Sequence, residues 1–185
     1  MTGKLEGVQA CNTSPLDNSF CDLMSKVPGT ICRYCYSRDM LHRFRTRCRP
    51  SWKLNGEELS DELLDTFPVV TTELFRINAH GELINVIHAR NMLRLAKANP
   101  NTKVGLWTKR PNLVWEAIKL EGKPDNVSLV YSSPWVNLES KPPRDFDHTF
   151  TVFDYDTNIN CGGHKCNECR LCYDSKVVAI REVIK

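Results

Sequence analysis

The cysteines of this 185-residue chain lie in two groups, one near each end of the sequence. Five of the nine fall between residues 11 and 48, four fall between residues 161 and 172, and residues 49–160 contain none. An odd number of cysteines cannot all pair as disulfides. The amino terminus has no apolar signal-peptide core, so we expect a cytoplasmic protein whose thiols stay reduced. The cysteines therefore predict metal binding at both ends and a scaffold between them.

The composition is that of an ordinary globular chain, with 41% hydrophobic and 25% charged residues. At this length we predict a single domain spanning residues 1–185. It divides into a cysteine- and arginine-rich segment (1–53), a β/α scaffold (54–153) and a C-terminal cysteine cluster (154–185). The sequence has no apolar run of about 18 residues, which excludes a predicted membrane span and a membrane partner. The net charge of +3 does not by itself indicate nucleic-acid binding.

The scaffold segment alternates between strand-like and helix-like patterns. The predicted strands are Glu73–Asn78, Lys103–Thr108, Asn126–Ser132 and Thr149–Phe153. The predicted helices are Leu83–Asn99, Pro111–Glu121 and a shorter one at Ser60–Phe67. Strands separated by helices indicate parallel pairing with right-handed crossovers. We predict an α/β fold, either a partial (β/α) barrel or an open, mostly parallel sheet of about four to six strands. Residues 176–184 are compatible with a strand or a helix.

The C-terminal group has closely spaced thiols, namely Cys161, Cys166, Cys169 and Cys172. Its two successive Cys-x2-Cys steps bring three thiolates around one metal centre, as ferredoxin-type sequences do for cubane clusters. The adjacent Gly162 and Gly163 allow the backbone to curl close to a metal. His164 is either a nitrogen ligand or a surface histidine of the loop.

The N-terminal group is more widely spaced. Cys32 and Cys35 form a Cys-x2-Cys knuckle, and the Pro-Gly pair before it indicates a loop rather than a redox-active helix start. Cys21 is the predicted third ligand, with Cys48 as the alternative. Cys11 and Cys48 are also compatible with small buried hydrophobic residues. We expect the two cysteine groups to converge at one end of the sheet.

The ligand count favours an iron–sulfur cluster over zinc. Zinc takes four ligands, usually as two knuckles, and pairing both knuckles around one zinc ion would leave Cys161 and Cys166 without a role. Eight or nine thiols suit one or two clusters, of the 4Fe–4S type, and zinc stays as the alternative. The predicted metal ligands are Cys21, Cys32, Cys35, Cys161, Cys166, Cys169 and Cys172.

Chemically capable side chains follow the predicted strands. Ligands of parallel α/β sheets bind beyond the carboxyl ends of the strands. His80 and Glu82 follow one predicted strand and Lys109 follows the next. We predict Glu82 and Lys109 as cofactor-binding residues, although each is also compatible with a capping or surface role.

Arginines are concentrated beside the N-terminal cysteines. Residues 33–53 contain seven basic residues and a single acidic one, Asp39. Three interpretations stay open: compensation of an anionic cluster, a nucleic-acid or phosphate-binding patch at Arg43–Arg49, and a solvated helix face.

The order of these features resembles the radical S-adenosylmethionine superfamily. In that superfamily three cysteines after the first strand hold a [4Fe–4S] cluster, and a Gly-Gly-Glu motif after the second strand contacts the methionine moiety. Here the motif is His80-Gly81-Glu82, and Cys21 lies further upstream of the knuckle than the usual Cys-x3-Cys-x2-Cys spacing. The resemblance implies a partial (β/α) barrel, an iron site with an open position, and Glu82 as a contact for S-adenosylmethionine.

The chain is also similar, over nearly its whole length, to a family of bacteriophage proteins. The shared features are a Cys-x2-Cys-Tyr motif ending at Tyr36, a Trp-Thr-Lys-Arg motif at Trp107–Arg110, and an aromatic residue, Tyr173, after the last cysteine. This resemblance implies a phage-encoded iron–sulfur protein in the host cytoplasm, acting in electron transfer or radical-type chemistry with a redox or host partner. The alternative is a zinc-stabilised nucleic-acid-binding or host-interaction module.

Overall fold

The computed structural model describes residues 3–162, 164–173 and 176–184. The strands are β1 (Gln9–Cys11), β2 (Leu74–Ile77), β3 (Lys103–Thr108), β4 (Val127–Ser132), β5 (His148–Phe153) and β6 (Ala179–Val183). The α-helices are α1 (Ser19–Ser25), α2 (Tyr36–Arg43), α3 (Arg49–Asp61), α4 (Val86–Ala98), α5 (Pro111–Glu121) and α6 (Cys166–Cys169). Short 3-10 helices lie at Gly3–Leu5, Ile31–Tyr34 and Thr46–Cys48. Within the described ranges, no helix is long and apolar enough to cross a membrane.

All six strands pair in parallel within one open sheet, and their spatial order is the same as their order in the chain. The predicted α/β fold is therefore confirmed, with the sheet open rather than closed into a barrel. Each new strand is added beside the preceding one. Because such crossovers are right-handed, the long connecting helices α3, α4 and α5 fall on the same face of the sheet.

The main core lies between the sheet and these helices. Ile77, Leu106 and Leu129 project from neighbouring strands, and each is at most 1% exposed. They pack against α4 and α5, whose buried residues recur with the spacing of one helical face: Ala89, Met92, Leu93 and Ala96 on α4, and Leu113, Val114 and Ala117 on α5.

The second face of the sheet carries no long helix in the described ranges and is covered by the C-terminal cysteine segment. Trp107, Val130 and Ile180 form a small core there with Tyr173. Gly105 is required by this packing, because a Cβ atom at that position would lie 2.5 Å from the Trp107 ring and 2.9 Å from the Tyr173 ring. The cysteine segment therefore takes the place that a helix layer occupies in a doubly wound sheet.

One predicted helix is wrong. Residues 60–67 were expected to be helical, but α3 begins at Arg49 and ends at Asp61. Asn91 of α4 ends this helix: its Nδ2 donates to the carbonyls of Leu59 and Glu62, and its Oδ1 accepts from the backbone N–H of Leu64. The other predicted strands and helices are confirmed with ends displaced by no more than three residues, and the ambiguous C-terminal stretch forms β6.

Candidate metal centres

The long connection between β1 and β2 carries the N-terminal cysteines across the carboxyl end of the sheet. The backbone N–H of Ile31 donates to the carbonyl of Pro134 (2.8 Å), and the N–H of Val136 donates to the carbonyl of Gly29 (3.2 Å). These bonds join the segment just before Cys32 to the loop that follows β4. The knuckle is therefore held over the ends of the central strands, where ligands of parallel sheets bind.

Asn18 positions the third cysteine of this group. Its Oδ1 caps α1 by accepting from the backbone N–H groups of Phe20 (3.0 Å) and Cys21 (3.2 Å). Its Nδ2 donates to the carbonyl of Glu82 at 3.0 Å. One buried side chain thus fixes the start of α1, and with it Cys21, against the loop that follows β2.

The three predicted N-terminal ligands share one electrostatic environment with Glu82 and Lys109. Burial raises the pKa of Cys21 far above its ordinary value, and the charges of Glu82 and of the thiolates of Cys35 and Cys32 raise it further, while Lys109 opposes the shift. Burial also raises the pKa of Cys32, against the influence of Lys109. The structure therefore places Cys21 within electrostatic reach of the knuckle, although Cys21 lies eleven positions before Cys32 in the sequence.

The Glu82 carboxylate is buried and satisfied by the protein itself. Its Oε1 accepts from the Thr108 hydroxyl (2.5 Å) and the Leu83 N–H (2.8 Å), and its Oε2 accepts from the Lys109 N–H (2.7 Å). Burial nevertheless raises its pKa. Glu82 therefore ties the ends of β2 and β3 together. The Lys109 Nζ donates to the Ser132 hydroxyl at 3.0 Å, and the charges of both Lys109 and Glu82 act on the Cys21 and Cys32 thiols.

The backbone before Glu82 admits only glycine. Gly81 has a φ of +86°, and a Cβ atom there would lie 2.2 Å from both the carbonyl oxygen and the hydroxyl of Thr13. This close approach lets the Thr13 hydroxyl accept from the Glu82 N–H and donate to the Glu82 carbonyl, both at 3.2 Å. The glycine of the His-Gly-Glu motif thus locks the loop after β1 to the loop after β2.

His80 anchors the helix that follows the knuckle. Its Nδ1 lies 2.7 Å from the Ser37 hydroxyl, and its ring stacks on Trp52 with centroids 4.8 Å apart. Burial, with the nearby Arg76 and Arg45, lowers its pKa to about 4. The neutral ring is therefore a packing element at the site.

The four C-terminal cysteines surround a pocket on the second face of the sheet. They line it together with Arg76 and Trp107, and the exposed His164 lies at its rim. Burial raises the pKa of Cys172 to about 12, Arg76 opposes the shift, and the thiolates of the other three cysteines reinforce it. The Cys172 thiol therefore lies within electrostatic reach of the other three thiols and of the Arg76 guanidinium group.

Two buried donors at this pocket have no acceptor among the described residues: the Arg76 Nε–H and the Trp107 Nε1–H. The guanidinium carbon lies 3.7 Å from the centroid of the Trp107 ring. A buried N–H group left unpaired costs about 1–3 kcal/mol. Anionic sulfur in the pocket would supply the missing acceptors, so the residues present fit a thiolate-bound metal centre.

The expectation that the two cysteine groups converge at one end of the sheet is wrong. The C-terminal group packs toward the amino ends of the strands: the carbonyl of Cys172 accepts from Ser128 (2.8 Å) at the start of β4, and Arg170 pairs with Glu73, which precedes β2. The C-terminal group belongs to the connection between β5 and β6, which packs on the second face of the sheet. The loop after β1 instead stays at the carboxyl ends.

The two remaining cysteines pack as hydrophobic residues. Cys48 contacts the small core of Met40, Leu41 and Trp52, and Cys11 contacts the main core, where burial raises its pKa to about 11. Within residues 3–162, 164–173 and 176–184, no three or more histidine, cysteine, aspartate or glutamate side chains are already arranged to hold a metal ion.

Sequence reasoning did not single out Arg76 or treat Trp107 as a site residue. A detectable signal was present, because Arg76 stands between the buried Phe75 and Ile77 of a central strand. A charged residue in such a position usually has a partner. Thr13 and Asn18 carried no comparable signal.

Comparison with protein families identifies the family of this chain. The model of a protein family described as "Gene product 88" matches residues 2–162, which is well over half of the chain. Searches of curated proteins and of solved structures gave no match.

Proposed function

We propose, from the premise that the chain belongs to the phage-type Gene product 88 family, that it is an iron–sulfur protein with two cluster sites. The C-terminal site consists of Cys161, Cys166, Cys169 and Cys172. The N-terminal site consists of Cys21, Cys32 and Cys35. The observation that carries the proposal is the pocket in which four cysteines surround two buried N–H donors that have no acceptor in the described structure.

The C-terminal site has the features of a closed centre. Four thiolates complete the coordination of a [4Fe–4S] cluster and leave no open iron. The Arg76 guanidinium offsets part of the negative charge, and its Nε–H and the Trp107 Nε1–H can donate to sulfur. Such hydrogen bonds set the reduction potential of a cluster. A role in electron transfer or in stabilising the fold follows for this site.

The N-terminal site has the features of an open centre. A [4Fe–4S] cluster with three thiolate ligands supplies an iron atom with a free position and can transfer one electron to a bound ligand. Lys109 lies within electrostatic reach of Cys21 and Cys32 and offsets their charge. S-adenosylmethionine is the candidate ligand. Since the Glu82 carboxylate already accepts three protein hydrogen bonds, the part proposed for Glu82 is to position the loop that would meet this ligand.

Metal analysis with matched cysteine variants tests the proposal. The protein is purified without oxygen, its visible spectrum is recorded, and iron, sulfide and zinc are measured on the same sample. We expect a brown protein with about eight iron atoms matched by sulfide, as two [4Fe–4S] clusters require. Cys32→Ser and Cys169→Ser should each lose about half of the iron.

Cys48→Ala is the matched control, since Cys48 packs in the Met40–Trp52 core and should keep all of the iron. A colourless protein with stoichiometric zinc would overturn the proposal in favour of structural zinc. If the iron content of Cys169→Ser equals that of the wild type, the C-terminal site is no longer part of the proposal.

A further inference from the structure

Helix α2 and the turns at its two ends form a surface that combines exposed aromatic rings with arginines. The side chains of this aromatic–arginine surface are Tyr34, Tyr36, Phe44, Arg33, Arg43 and Arg47. Its rings are unusually open to solvent, with Tyr34 at 65%, Tyr36 at 62% and Phe44 at 68% exposure. Large apolar groups held so far out of the core mark interaction sites when they cluster.

The packing of α2 leaves Tyr36 and Arg43 exposed on one side of the helix. Met40 and Leu41 are buried against Trp52, which fixes the inner side of the helix. Tyr36 and Arg43 are seven residues apart and therefore lie on one side, two turns from each other. Tyr34 precedes the helix and Phe44 follows it, so the surface spans about 12 Å, the length of an eight-residue helix.

The charge on this surface is positive once internal ion pairs are removed. Arg38 and Arg49 are engaged with the protein, through Asp22 at 3.7 Å and Asp17 at 2.8 Å. Arg33 and Arg47 form no ion pair within the part of the chain that the structure describes.

Arg43 is only loosely paired. It lies 3.3 Å from Asp39, the single acidic residue between positions 33 and 53, and both side chains are more than half exposed. Such a pair is worth little in water and can be exchanged for a ligand anion. Other acidic groups near the surface are Asp22, which is shared with Lys26 and Arg38, and Glu57, which pairs with Lys53.

We propose that the aromatic–arginine surface binds single-stranded nucleic acid. Aromatic faces stack unpaired bases whatever their sequence, and arginines take the phosphates between them. A duplex would hide its base faces and leave the three rings without a partner. A strand about two to three nucleotides long fills the length of α2. Its phosphates would meet the arginines and its bases would meet the aromatic rings.

The bound strand would lie beside the N-terminal cysteines. Tyr36 directly follows Cys35, and its ring centroid is 5.9 Å from that of His80. A nucleotide on this surface would therefore be placed at the carboxyl end of the sheet. The inference rests on the surface alone and does not require a cluster.

Fluorescence anisotropy with labelled oligonucleotides tests it. Fluorescein-labelled 15-mers of dT and of U and a 15-base-pair duplex are titrated with the full chain over a series of salt concentrations. We expect the single strands to bind more tightly than the duplex. The logarithm of the affinity should fall with the logarithm of salt with a slope of about −2, as roughly three phosphate contacts require.

Two variants separate the two kinds of contact. Arg33→Gln/Arg43→Gln/Arg47→Gln should abolish most of the salt dependence. Tyr34→Ala/Phe44→Ala should weaken binding by about 25-fold with an unchanged slope, because each stacked base contributes about fivefold or more.

The control variants carry substitutions of the same kinds on another surface of the protein. Lys119→Gln/Lys141→Gln/Arg144→Gln removes three exposed charges from another surface, and Leu120→Ala removes an exposed apolar side chain. Both should bind as the wild type does, with circular dichroism confirming that every variant is folded. Preference for the duplex, or equal loss in the control triple variant, would overturn the inference.

Metal analysis on the same samples keeps the two proposals apart. A brown, cluster-bearing protein that binds no single strand overturns only the nucleic-acid inference. A protein that binds single strands but carries zinc supports that inference and overturns only the iron–sulfur proposal.

Discussion

Replacing Gly81 with alanine should destabilise the protein much more than the same change at another glycine of positive φ. An alanine at φ +86° is strained, which costs about 1–3 kcal/mol. The added Cβ would also lie 2.2 Å from two oxygen atoms of Thr13, one of them in the backbone. Since Thr13 is 1% exposed and cannot turn away, the loop after β1 must shift.

That shift breaks identifiable hydrogen bonds. The Thr13 N–H donates to the carbonyl of His80 at 3.2 Å, and the Thr13 hydroxyl bonds both the N–H and the carbonyl of Glu82. Each bond contributes about 0.5–1.5 kcal/mol net, so the three together add about 2–4 kcal/mol to the backbone strain. The total expected loss is about 3–7 kcal/mol, which is a large part of the stability of a domain of this size.

Urea unfolding followed by circular dichroism measures this loss, with the free energy taken from linear extrapolation. Gly122→Ala is the matched control, because Gly122 has a φ of +72° but no heavy atom within 4 Å of its Cβ position. The control should lose only the strain of about 1–3 kcal/mol. Equal losses in the two variants would refute the argument that Gly81 is required by the contact with Thr13.

Three further predictions concern other buried groups. Burial lowers the pKa of His88 from 6.5 to about 4, so its contribution to stability is present above pH 6.5 and is lost as the pH falls toward 4. Urea unfolding at pH 7 and at pH 4.5 should show a loss of about 2–3 kcal/mol from this group that the His88→Gln variant lacks. A pH dependence in the variant equal to that of the wild type would contradict this prediction. Trp107→Phe removes a donor from the C-terminal pocket and should make the reduction potential of the proposed cluster more negative in a potentiometric titration. An unchanged potential would show that the indole N–H does not reach sulfur. Gly105→Ala places a Cβ atom 2.5 Å from the Trp107 ring and should lower the free energy of unfolding in urea by about 1–3 kcal/mol. A urea midpoint equal to that of the wild type would contradict this prediction.

Local signals were sufficient for the central β/α units. The bounds of β3 and α5 are the predicted ones, because a run of apolar residues ends at a Pro in the first turn of the helix and a Gly follows its last residue. The helix at residues 60–67 could not be placed in this way. Helix α3 instead ends at Asp61, because the side chain of Asn91, thirty residues downstream, donates hydrogen bonds to the carbonyls at the end of that helix. Contacts between residues so distant in sequence leave no periodic signal.

The sequence by itself determined the α/β class, the two cysteine groups and the candidate residues at the strand ends. These features depend on spacing and on the rule that parallel strands end at one edge. Only the tertiary structure decided that Cys21 lies within electrostatic reach of Cys32 and Cys35, that Cys11 and Cys48 pack against the hydrophobic clusters, and that Arg76 and Trp107 line the pocket of the C-terminal cysteines. The physical reason is that packing between distant parts of the chain decides these positions: the long helices cover one face of the sheet, and the last cysteine segment, with its four-residue helix α6, packs on the other.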